Sequence, residues 1–180
     1  MKKFIAFLRG INVSGQKKIK MSDLKLLFGK IGFQNVETYI QSGNVIFSSK
    51  EKSVKKLESN ISSGIKSKYG FDVQVLVIRP DEIEYVLRNN PFIKKKKAIE
   101  KLYVTFLTDK PNSENIKMLE TKDFSPEEYI IDGKFIYLFY PNGAGKAKLN
   151  NNLLESKLRL PATTRNWNTI NTLSELVNAQ

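Results

Sequence analysis

The first apolar segment of the chain is a continuous run rather than an alternating one. Residues 4–8, FIAFL, are apolar and are bounded by charged residues on both sides, which is typical of a strand buried on both faces. We therefore predict a central strand here. Residues 24–31 carry apolar side chains at helical spacing and Ser22 is available as an N-cap, so a helix is predicted next.

The rest of the first half continues with alternating strands and helices. Two β-rich segments at 36–41 and 44–49 flank Ser42-Gly43 and indicate a hairpin. A single apolar stripe predicts a helix over 54–69, and VQVLVIR predicts a strand over 73–79. The order is βαββαβ, which is the ferredoxin-like arrangement of one antiparallel sheet with two helices on one face.

The second half restarts this order. It contains a strand at 102–107, a helix at 113–119, and strands at 128–132 and 134–140 that an Asp-Gly turn joins. Two leucine- and isoleucine-rich helices, at 149–158 and 170–177, follow.

The predicted fold is an α+β protein that consists of two ferredoxin-like βαββα(β) subdomains with antiparallel sheets, related by structural duplication. We place the first subdomain at 1–88 and the second at 98–180. The polar, proline-containing segment 89–97 is predicted to be a linker.

Composition excludes several kinds of chemistry. The chain has no cysteine and no histidine, which excludes disulfides, thiolate or imidazole metal ligands, cysteine nucleophiles and Ser-His-Asp arrangements. No metal site is predicted. The amino-terminal apolar run is too short for a signal peptide or a membrane span, so we expect a cytoplasmic protein without a membrane partner.

The net charge of +12 is the strongest compositional signal. A basic surface favours phosphate-bearing partners through counterion release. However, 25 of the 30 basic residues are lysines and only five are arginines, as expected for a chain from an AT-biased genome whatever it binds. Both explanations of the charge remain open at the level of sequence.

The predicted topology brings two polar loops to one end of the first sheet. The right-handed crossover makes the first two strands parallel, with the third between them, so RGIN at 9–12 lies beside QSGN at 41–44. The first helix begins at the same end, where its amides favour anions. Ligand contacts are expected from Arg9, Gly10, Asn12, Ser42, Gly43 and Asn44. The alternative is that these residues only build turns and cap carbonyl groups.

Two further segments are candidates in the second half. PNGAGKAKL at 141–149 lies between a strand and a helix and predicts an anion nest with Lys146 as counter-charge, or else a plain connection. TTRNWNT at 163–169 predicts a polar cluster with a stacking tryptophan, or else a helix cap and a core tryptophan. Its candidate residues are Thr163, Arg165, Asn166 and Trp167.

Three segments and one residue together resemble the bacterial domain-of-unknown-function family 1697: LRGINV at 8–13, ETYIQSGNVIF at 37–47, TTRNWNT at 163–169 and Met21. The resemblance implies ferredoxin-like subdomains and no assigned activity. It adds Thr38 and Tyr39 to the presumptive site. The chain departs from the family pattern at Ser14, Tyr103 and Lys146-Ala147.

We expect a protein that binds a nucleotide, another phosphorylated small molecule or a nucleic acid through this polar site. One alternative is an enzyme that acts on a phosphorylated substrate without metal, histidine or cysteine chemistry; a second is a protein interaction module. The sequence identifies neither a cofactor nor an oligomeric state.

Overall fold

The computed structural model describes residues 1–179 as two compact units. The first unit comprises Met1–Glu84 together with the end of the chain from Leu173 onward, and the second comprises Tyr85–Thr172. Each unit contains a four-stranded antiparallel sheet. No helix within residues 1–179 is both long and apolar enough to cross a membrane.

The first unit has the predicted element order. Its elements are β1 (Lys2–Leu8), α1 (Met21–Lys30), β2 (Gln34–Tyr39), β3 (Asn44–Ser49), α2 (Val54–Tyr69), β4 (Val75–Ile78) and the start of α3 (Pro80–Asn89). The sheet order is β2-β3-β1-β4, and every neighbouring pair of strands is antiparallel. This is the ferredoxin-like order, with β1 in the interior of the sheet as its apolar sequence predicts.

Both faces of β1 are buried. Phe4 to Leu8 are each 0% exposed. Alternate residues of the strand pack with the apolar sides of α1 and α2 in one core, which includes Phe4, Phe28 and Phe47. The ring centroids of Phe4 and Phe47 are 5.7 Å apart, and those of Phe28 and Phe47 are 5.5 Å apart. This aromatic packing fixes α1 over the centre of the sheet.

The start of α1 differs from the prediction. The N-cap position belongs to Lys20, which forms no side-chain capping hydrogen bond, and Ser22 lies inside the helix. By contrast, Ser53 caps α2 by accepting a hydrogen bond from the amide of Lys56. The first turn of α1 therefore has amide groups without an intrahelical acceptor and without a capping side chain.

The second unit repeats the topology of the first. After the end of α3, its elements are α4 (Pro91–Lys94), β5 (Leu102–Leu107), α5 (Ser113–Glu120), β6 (Glu128–Asp132), β7 (Phe135–Phe139), α6 (Asn151–Leu158), β8 (Ala162–Asn166) and the start of α7 (Trp167–Ala179). The sheet order is β6-β7-β5-β8, again antiparallel throughout. The two units thus have equivalent strand orders, in agreement with the predicted duplication.

The strand β8 completes the second sheet and lies where the sequence suggested a polar segment before the last helix. It pairs with β5 along its whole length. Its polar residues are tolerated because their hydroxyl groups find partners: Thr164 Oγ1 lies 2.7 Å from Thr105 Oγ1 on β5. Threonine also suits a pleated strand.

The segment predicted as a linker, 89–97, is largely structured within the second unit. Asn90 caps α4 by accepting a hydrogen bond from the amide of Phe92 at 2.9 Å. Phe92 is 0% exposed, and its ring centroid lies 6.3 Å from that of Phe139 on β7. The buried aromatic ring anchors the segment to the sheet.

Candidate functional site

The loop after β1 and the tip of the β2–β3 hairpin are in contact, as the strand order predicts. The amide of Leu8 donates to the carbonyl of Gly43 at 2.8 Å, and Asn12 Nδ2 donates to the carbonyl of Gln41 at 3.0 Å. Gly43 has φ +79, and a Cβ atom there would lie 2.8 Å from Leu8 Cβ. Glycine is therefore required at position 43 both for its backbone conformation and for the close approach of the loops.

The side chain of Asn12 holds the loop closed. Its Nδ2 donates to the carbonyl of Ile19 at 2.9 Å as well as to that of Gln41, and its Oδ1 accepts from the amide of Ile19 at 2.8 Å. Asn12 itself has φ +55, a conformation that asparagine tolerates better than most residues. These hydrogen bonds make Asn12 a brace of loop 9–20.

The SGN stretch stabilises the hairpin. Asn44 is 0% exposed, and its Nδ2 donates to the carbonyl of Tyr39 at 3.1 Å and to Ser42 Oγ at 2.9 Å. Tyr39 and Thr38 are half-buried on β2, which is an edge strand of the sheet. The hydrogen bonds of Asn44 explain why an amide side chain occupies the first position of β3.

Arg9 is directed toward β4. Its backbone amide donates to the carbonyl of Gln74 at 2.9 Å, and Nη1 lies 3.4 Å from Gln74 Oε1. Side chains alternate along a strand, so Arg9 follows Phe7 on the face of the sheet opposite α1 and α2. The neighbouring Gly10 is exposed with φ +70, and nothing lies within 4 Å of a Cβ built there.

An open cavity of about 530 Å³ lies beside these loops. It is lined by Asn12, Gly15, Lys18, Ile19, Lys20, Met21, Asp23, Gln41 and Tyr69. The lining therefore joins loop 9–20, the hairpin tip, the uncapped start of α1 and the end of α2. Arg9 does not line it.

Lys18 and Lys20 were not among the predicted site residues. The only sequence signal for them was the basic stretch QKKIK at 16–20, which separates the loop from α1. In a chain with 30 basic residues, such a stretch is not distinctive. Its position at the amino end of α1 gives it significance, because helix amino ends and lysines both attract anions.

The glycine-rich segment of the second unit already holds a carboxylate. Residues 144–146 form a 3-10 turn, and Lys146 is exposed. The carboxylate of Glu127 accepts hydrogen bonds from the amides of Lys148 at 2.7 Å and Leu149 at 2.8 Å. The backbone amides of Lys148 and Leu149, which follow this turn, are therefore already bonded to a carboxylate of the protein.

TTRNWNT connects β8 to α7. Arg165 Nη1 donates to Thr163 Oγ1 at 2.9 Å and to the carbonyl of Thr164 at 3.0 Å. Burial lowers the pKa of Arg165 to about 10, so its guanidinium group stays cationic at neutral pH. Thr163 is 3% exposed, and pairing places it with Arg165 on one face of the sheet.

The remaining two residues of this motif have structural contacts. Asn166 Oδ1 accepts a hydrogen bond from the amide of Thr169 at 2.8 Å, which is the geometry of an N-cap for α7. Trp167 is 5% exposed and belongs to the hydrophobic core. Its ring is therefore packed against protein rather than open for stacking on a ligand.

The predicted residues fall into two groups by unit. Arg9, Gly10, Asn12, Thr38, Tyr39, Ser42, Gly43 and Asn44 belong to the first unit, and Lys146, Thr163, Arg165, Asn166 and Trp167 belong to the second. Within residues 1–179, no three aspartate or glutamate side chains are grouped so that they could hold a metal ion.

Comparison with known proteins places the chain in a family. The sequence profile described as "Protein of unknown function (DUF1697)" matches residues 1–137. The chain belongs to the DUF1697 family. The matched region includes the RGIN and QSGN loops and ends before TTRNWNT. Membership confirms the resemblance inferred from these motifs.

A solved structure supports the fold of this DUF1697 chain. It is described as the conserved bacterial protein SP0830 from Streptococcus pneumoniae, and it aligns with a TM-score of 0.76 and 24% identity. The alignment covers 97% of this chain and 98% of that chain. At this identity the likeness shows a common fold only. No curated protein matches the chain.

Proposed function

We propose that this DUF1697 protein binds a phosphorylated small molecule in the cavity between loop 9–20 and the amino end of α1. The observation that supports the proposal is the meeting of Lys18, Lys20 and an uncapped helix start on one cavity. The amides of a first helical turn point away from the helix and carry a partial positive charge. Two lysines beside them supply the remaining charge that a phosphate group needs.

The size of the cavity favours a small molecule. Ligand pockets typically have volumes of roughly 300–1,000 Å³, and the volume here is about 530 Å³. One side of the cavity is braced by the hydrogen bond that Asn12 Nδ2 donates to the backbone carbonyl of Gln41. Because these loops are already ordered, less of their conformational entropy is lost when a ligand binds.

The first sheet favours a small molecule over a nucleic acid as the ligand of this unit. Recognition of single-stranded RNA by a ferredoxin-like domain requires aromatic residues on the open face of the sheet. On the face of the first sheet opposite α1 and α2, Phe7 is 0% exposed, Ile46 1% and Leu76 4%. These side chains are not accessible for stacking on bases.

Asp23 is the acidic group that lines the cavity. The negative charge of its carboxylate disfavours an anion, although Lys68 Nζ lies 3.2 Å from the backbone carbonyl of Asp23 and adds positive charge nearby.

Since phosphate esters are made and used in the cytoplasm, the proposal places the protein there.

The test is ligand-induced stabilisation. Thermal unfolding is followed with inorganic phosphate, sugar phosphates and nucleotides, because a ligand that binds only the folded state raises the unfolding temperature. At least one phosphorylated compound should stabilise the protein. The double variant Lys18→Ala/Lys20→Ala should reduce that stabilisation strongly.

The matched control removes two lysines of the same unit. Lys25→Ala/Lys30→Ala changes the net charge equally, and neither residue lines this cavity. The control should retain the ligand response. If the two double variants respond equally, the effect is one of overall charge. If Arg9→Ala abolishes the response while Lys18→Ala/Lys20→Ala does not, the ligand lies on the other face of the sheet.

A further inference from the structure

The two sheets have four edge strands, β2 and β4 in the first unit and β6 and β8 in the second. The outer backbone groups of an edge strand can pair with a strand of another chain, so most proteins block or interrupt their edges. Within residues 1–179, three of these edges are blocked or interrupted. The exception is β6.

Side chains of the protein block the outer side of β8. The amide of Ala162 donates to Glu155 Oε1 at 2.8 Å, and its carbonyl accepts from Asn151 Nδ2 at 3.0 Å. Both side chains belong to α6. The carbonyl of Thr164 accepts from Arg165 Nη1 at 3.0 Å. A further strand would have to displace these hydrogen bonds in order to pair with β8.

The edges of the first sheet are obstructed in two ways. On β4, the amide of Val77 donates to Glu58 Oε1 of α2 at 2.9 Å. On β2, the ladder with β3 is irregular between Gln34 and Glu37, and Asn35 has φ +49. Such a bulge bends the strand and interrupts the regular ladder that an added strand needs.

By contrast, β6 is regular and its outer side has no partner. It pairs with β7 in unbroken register, and Asp132 and Phe135 flank a two-residue turn. The pair that flanks such a turn exchanges backbone hydrogen bonds, and the bonding side then alternates along the strand. Ile130 therefore also bonds to β7, whereas the backbone groups of Tyr129 and Ile131 point outward. Within residues 1–179, no side chain or backbone group bonds to these outward groups.

Two open cavities lie along β6. One, of about 660 Å³, is lined by Ile131 of the strand and by Ile116 and Glu120 of α5. The other, of about 300 Å³, lies at the first half of the strand, where Tyr129 and Phe124 are part of its lining. When a strand is added to a sheet, backbone hydrogen bonds supply the affinity and pockets for alternate side chains supply the specificity. The edge at β6 offers both.

The charge of β6 indicates which kind of strand would pair with it. Glu128 and Asp132 lie on one face of the strand with Ile130 between them, and β6 has no basic residue although the chain has a net charge of +12. Opposite charges on directly paired residues stabilise a sheet, and like charges destabilise it. A lysine or arginine opposite each carboxylate therefore fits this edge.

The same charges disfavour a second copy of this chain as the partner. Two β6 strands paired antiparallel about Ile130 would place Glu128 of each copy opposite Asp132 of the other. Of the two carboxylates, Asp132 is the more important for pairing. Glu128 already forms an ion pair with Lys97, whereas Asp132 accepts a hydrogen bond from the neutral hydroxyl group of Tyr85.

We propose that β6 binds an extended segment of another protein as a fifth, antiparallel strand of the second sheet. The segment has basic residues opposite Glu128 and Asp132. It has apolar residues opposite Tyr129 and Ile131, where their side chains lie over the cavity beside α5. This site is separate from the phosphate site proposed in the first unit and does not depend on it.

The test uses the whole protein, isotope-labelled, and the end-blocked peptide lysine-valine-isoleucine-valine-lysine. Nuclear magnetic resonance follows the hydrogen exchange of single backbone amides. The amides of Tyr129 and Ile131 should exchange about tenfold more slowly when the peptide occupies about 90% of the protein. The amide of Ile130, which is already bonded to β7, should change little and reports that the hairpin is intact.

Methylated peptides test the backbone pairing. In the proposed register, the amides of the two valines donate to the carbonyl groups of Tyr129 and Ile131, and the amide of the central isoleucine points away from β6. N-methylation of either valine should therefore abolish the slowing of exchange, and N-methylation of the isoleucine should leave it unchanged. Equal effects, or the reverse pattern, would overturn the proposed pairing.

A charge exchange tests the residue opposite Asp132. Asp132→Lys should weaken binding of the lysine peptide about fivefold, and it should strengthen binding of a peptide whose first lysine is replaced with glutamate about fivefold. The matched control is Glu100→Lys, which changes the net charge equally at an exposed residue of the same unit that lines neither cavity. The control should leave both affinities unchanged.

Three results would refute the proposal. The peptide could leave the exchange of Tyr129 and Ile131 unaltered at every concentration reached. The two amides could instead become protected as the concentration of the protein alone is raised, with sedimentation showing a dimer, and β6 would then be an interface between copies. Equal effects of Asp132→Lys and Glu100→Lys would show that binding reflects overall charge and not pairing at β6.

Discussion

Replacing Gly43 with alanine tests whether the two loops of the first unit are held together by close packing. Gly43 has φ +79, and its carbonyl accepts the amide of Leu8 at 2.8 Å. An added Cβ would lie 2.8 Å from Leu8 Cβ and 3.0 Å from two side-chain atoms of Ile11. Leu8 Cβ is fixed to the central strand and cannot rotate away.

The expected cost is the sum of three contributions. Alanine in a left-handed backbone conformation costs about 1–2 kcal/mol, and overpacking in a close-packed region costs about 1–3 kcal/mol. The lower entropy of the unfolded chain returns about 0.4–1 kcal/mol. Gly43→Ala should therefore lower the free energy of unfolding by about 1–4.5 kcal/mol.

Gly10→Ala provides the matched control in the same pair of loops. Gly10 has nearly the same backbone conformation, φ +70, but nothing lies within 4 Å of an added Cβ. The overpacking cost is absent, so the backbone cost less the entropy gain should leave a loss of about 0–1.5 kcal/mol.

Urea unfolding followed by circular dichroism measures both variants, and the shift of the midpoint at constant slope gives the change in free energy. A Gly43→Ala variant no less stable than Gly10→Ala would show that the loops do not pack closely, and the cavity they border would lose its structural basis.

Three further predictions concern polar side chains whose hydrogen bonding the structure describes. Asn12→Ala should lower the free energy of unfolding by about 2–4 kcal/mol in urea, because the backbone groups of Ile19 lose their partners; an unchanged midpoint would contradict the role of Asn12 as a brace. Tyr137→Phe should leave stability equal or raise it by up to about 1 kcal/mol, because the buried hydroxyl group has no partner within the described residues; a clear loss would refute this. The amide of Ser53 holds the pKa of Glu51 below its ordinary value of 4.5, so Glu51 stabilises the fold above that value and the stabilisation is lost as the pH falls through the lowered pKa. Glu51→Gln should flatten the decline of the unfolding temperature between about pH 5 and pH 2, and an unaltered acid profile would count against it.

Hydrophobic spacing predicted most of the secondary structure correctly. FIAFL became the interior strand β1, the stripe at 54–69 became α2, and Asp132-Gly133 became the turn between β6 and β7. These elements can be predicted from the sequence because their pattern of buried residues repeats within a single segment. The strand order followed from handedness rules, which apply to any βαββαβ segment.

Elements whose stability depends on distant partners were not predicted. The sequence ATTRN shows no apolar alternation, and it becomes β8 because β5 offers a pairing edge and Thr105 offers a hydroxyl partner for Thr164. Ser22 resembled an N-cap, yet loop 9–20 brings Lys20 to that position. In both places a tertiary contact decides between local alternatives.

For the candidate site too, one part could be predicted from the sequence and the other depends on the tertiary structure. The sequence determined that RGIN and QSGN would meet, because strand order alone brings the end of β1 to the hairpin tip. Only the tertiary structure decided how their side chains are used: Asn12 bonds to a carbonyl 29 residues away, and Glu127 occupies amides 21 and 22 residues away. Hydrogen-bond partners at such separations leave no periodic trace in the sequence, whereas burial of an element's face does. The cavity at Lys18, Lys20 and Tyr69 likewise exists only once loop 9–20, α1 and the end of α2 have packed together.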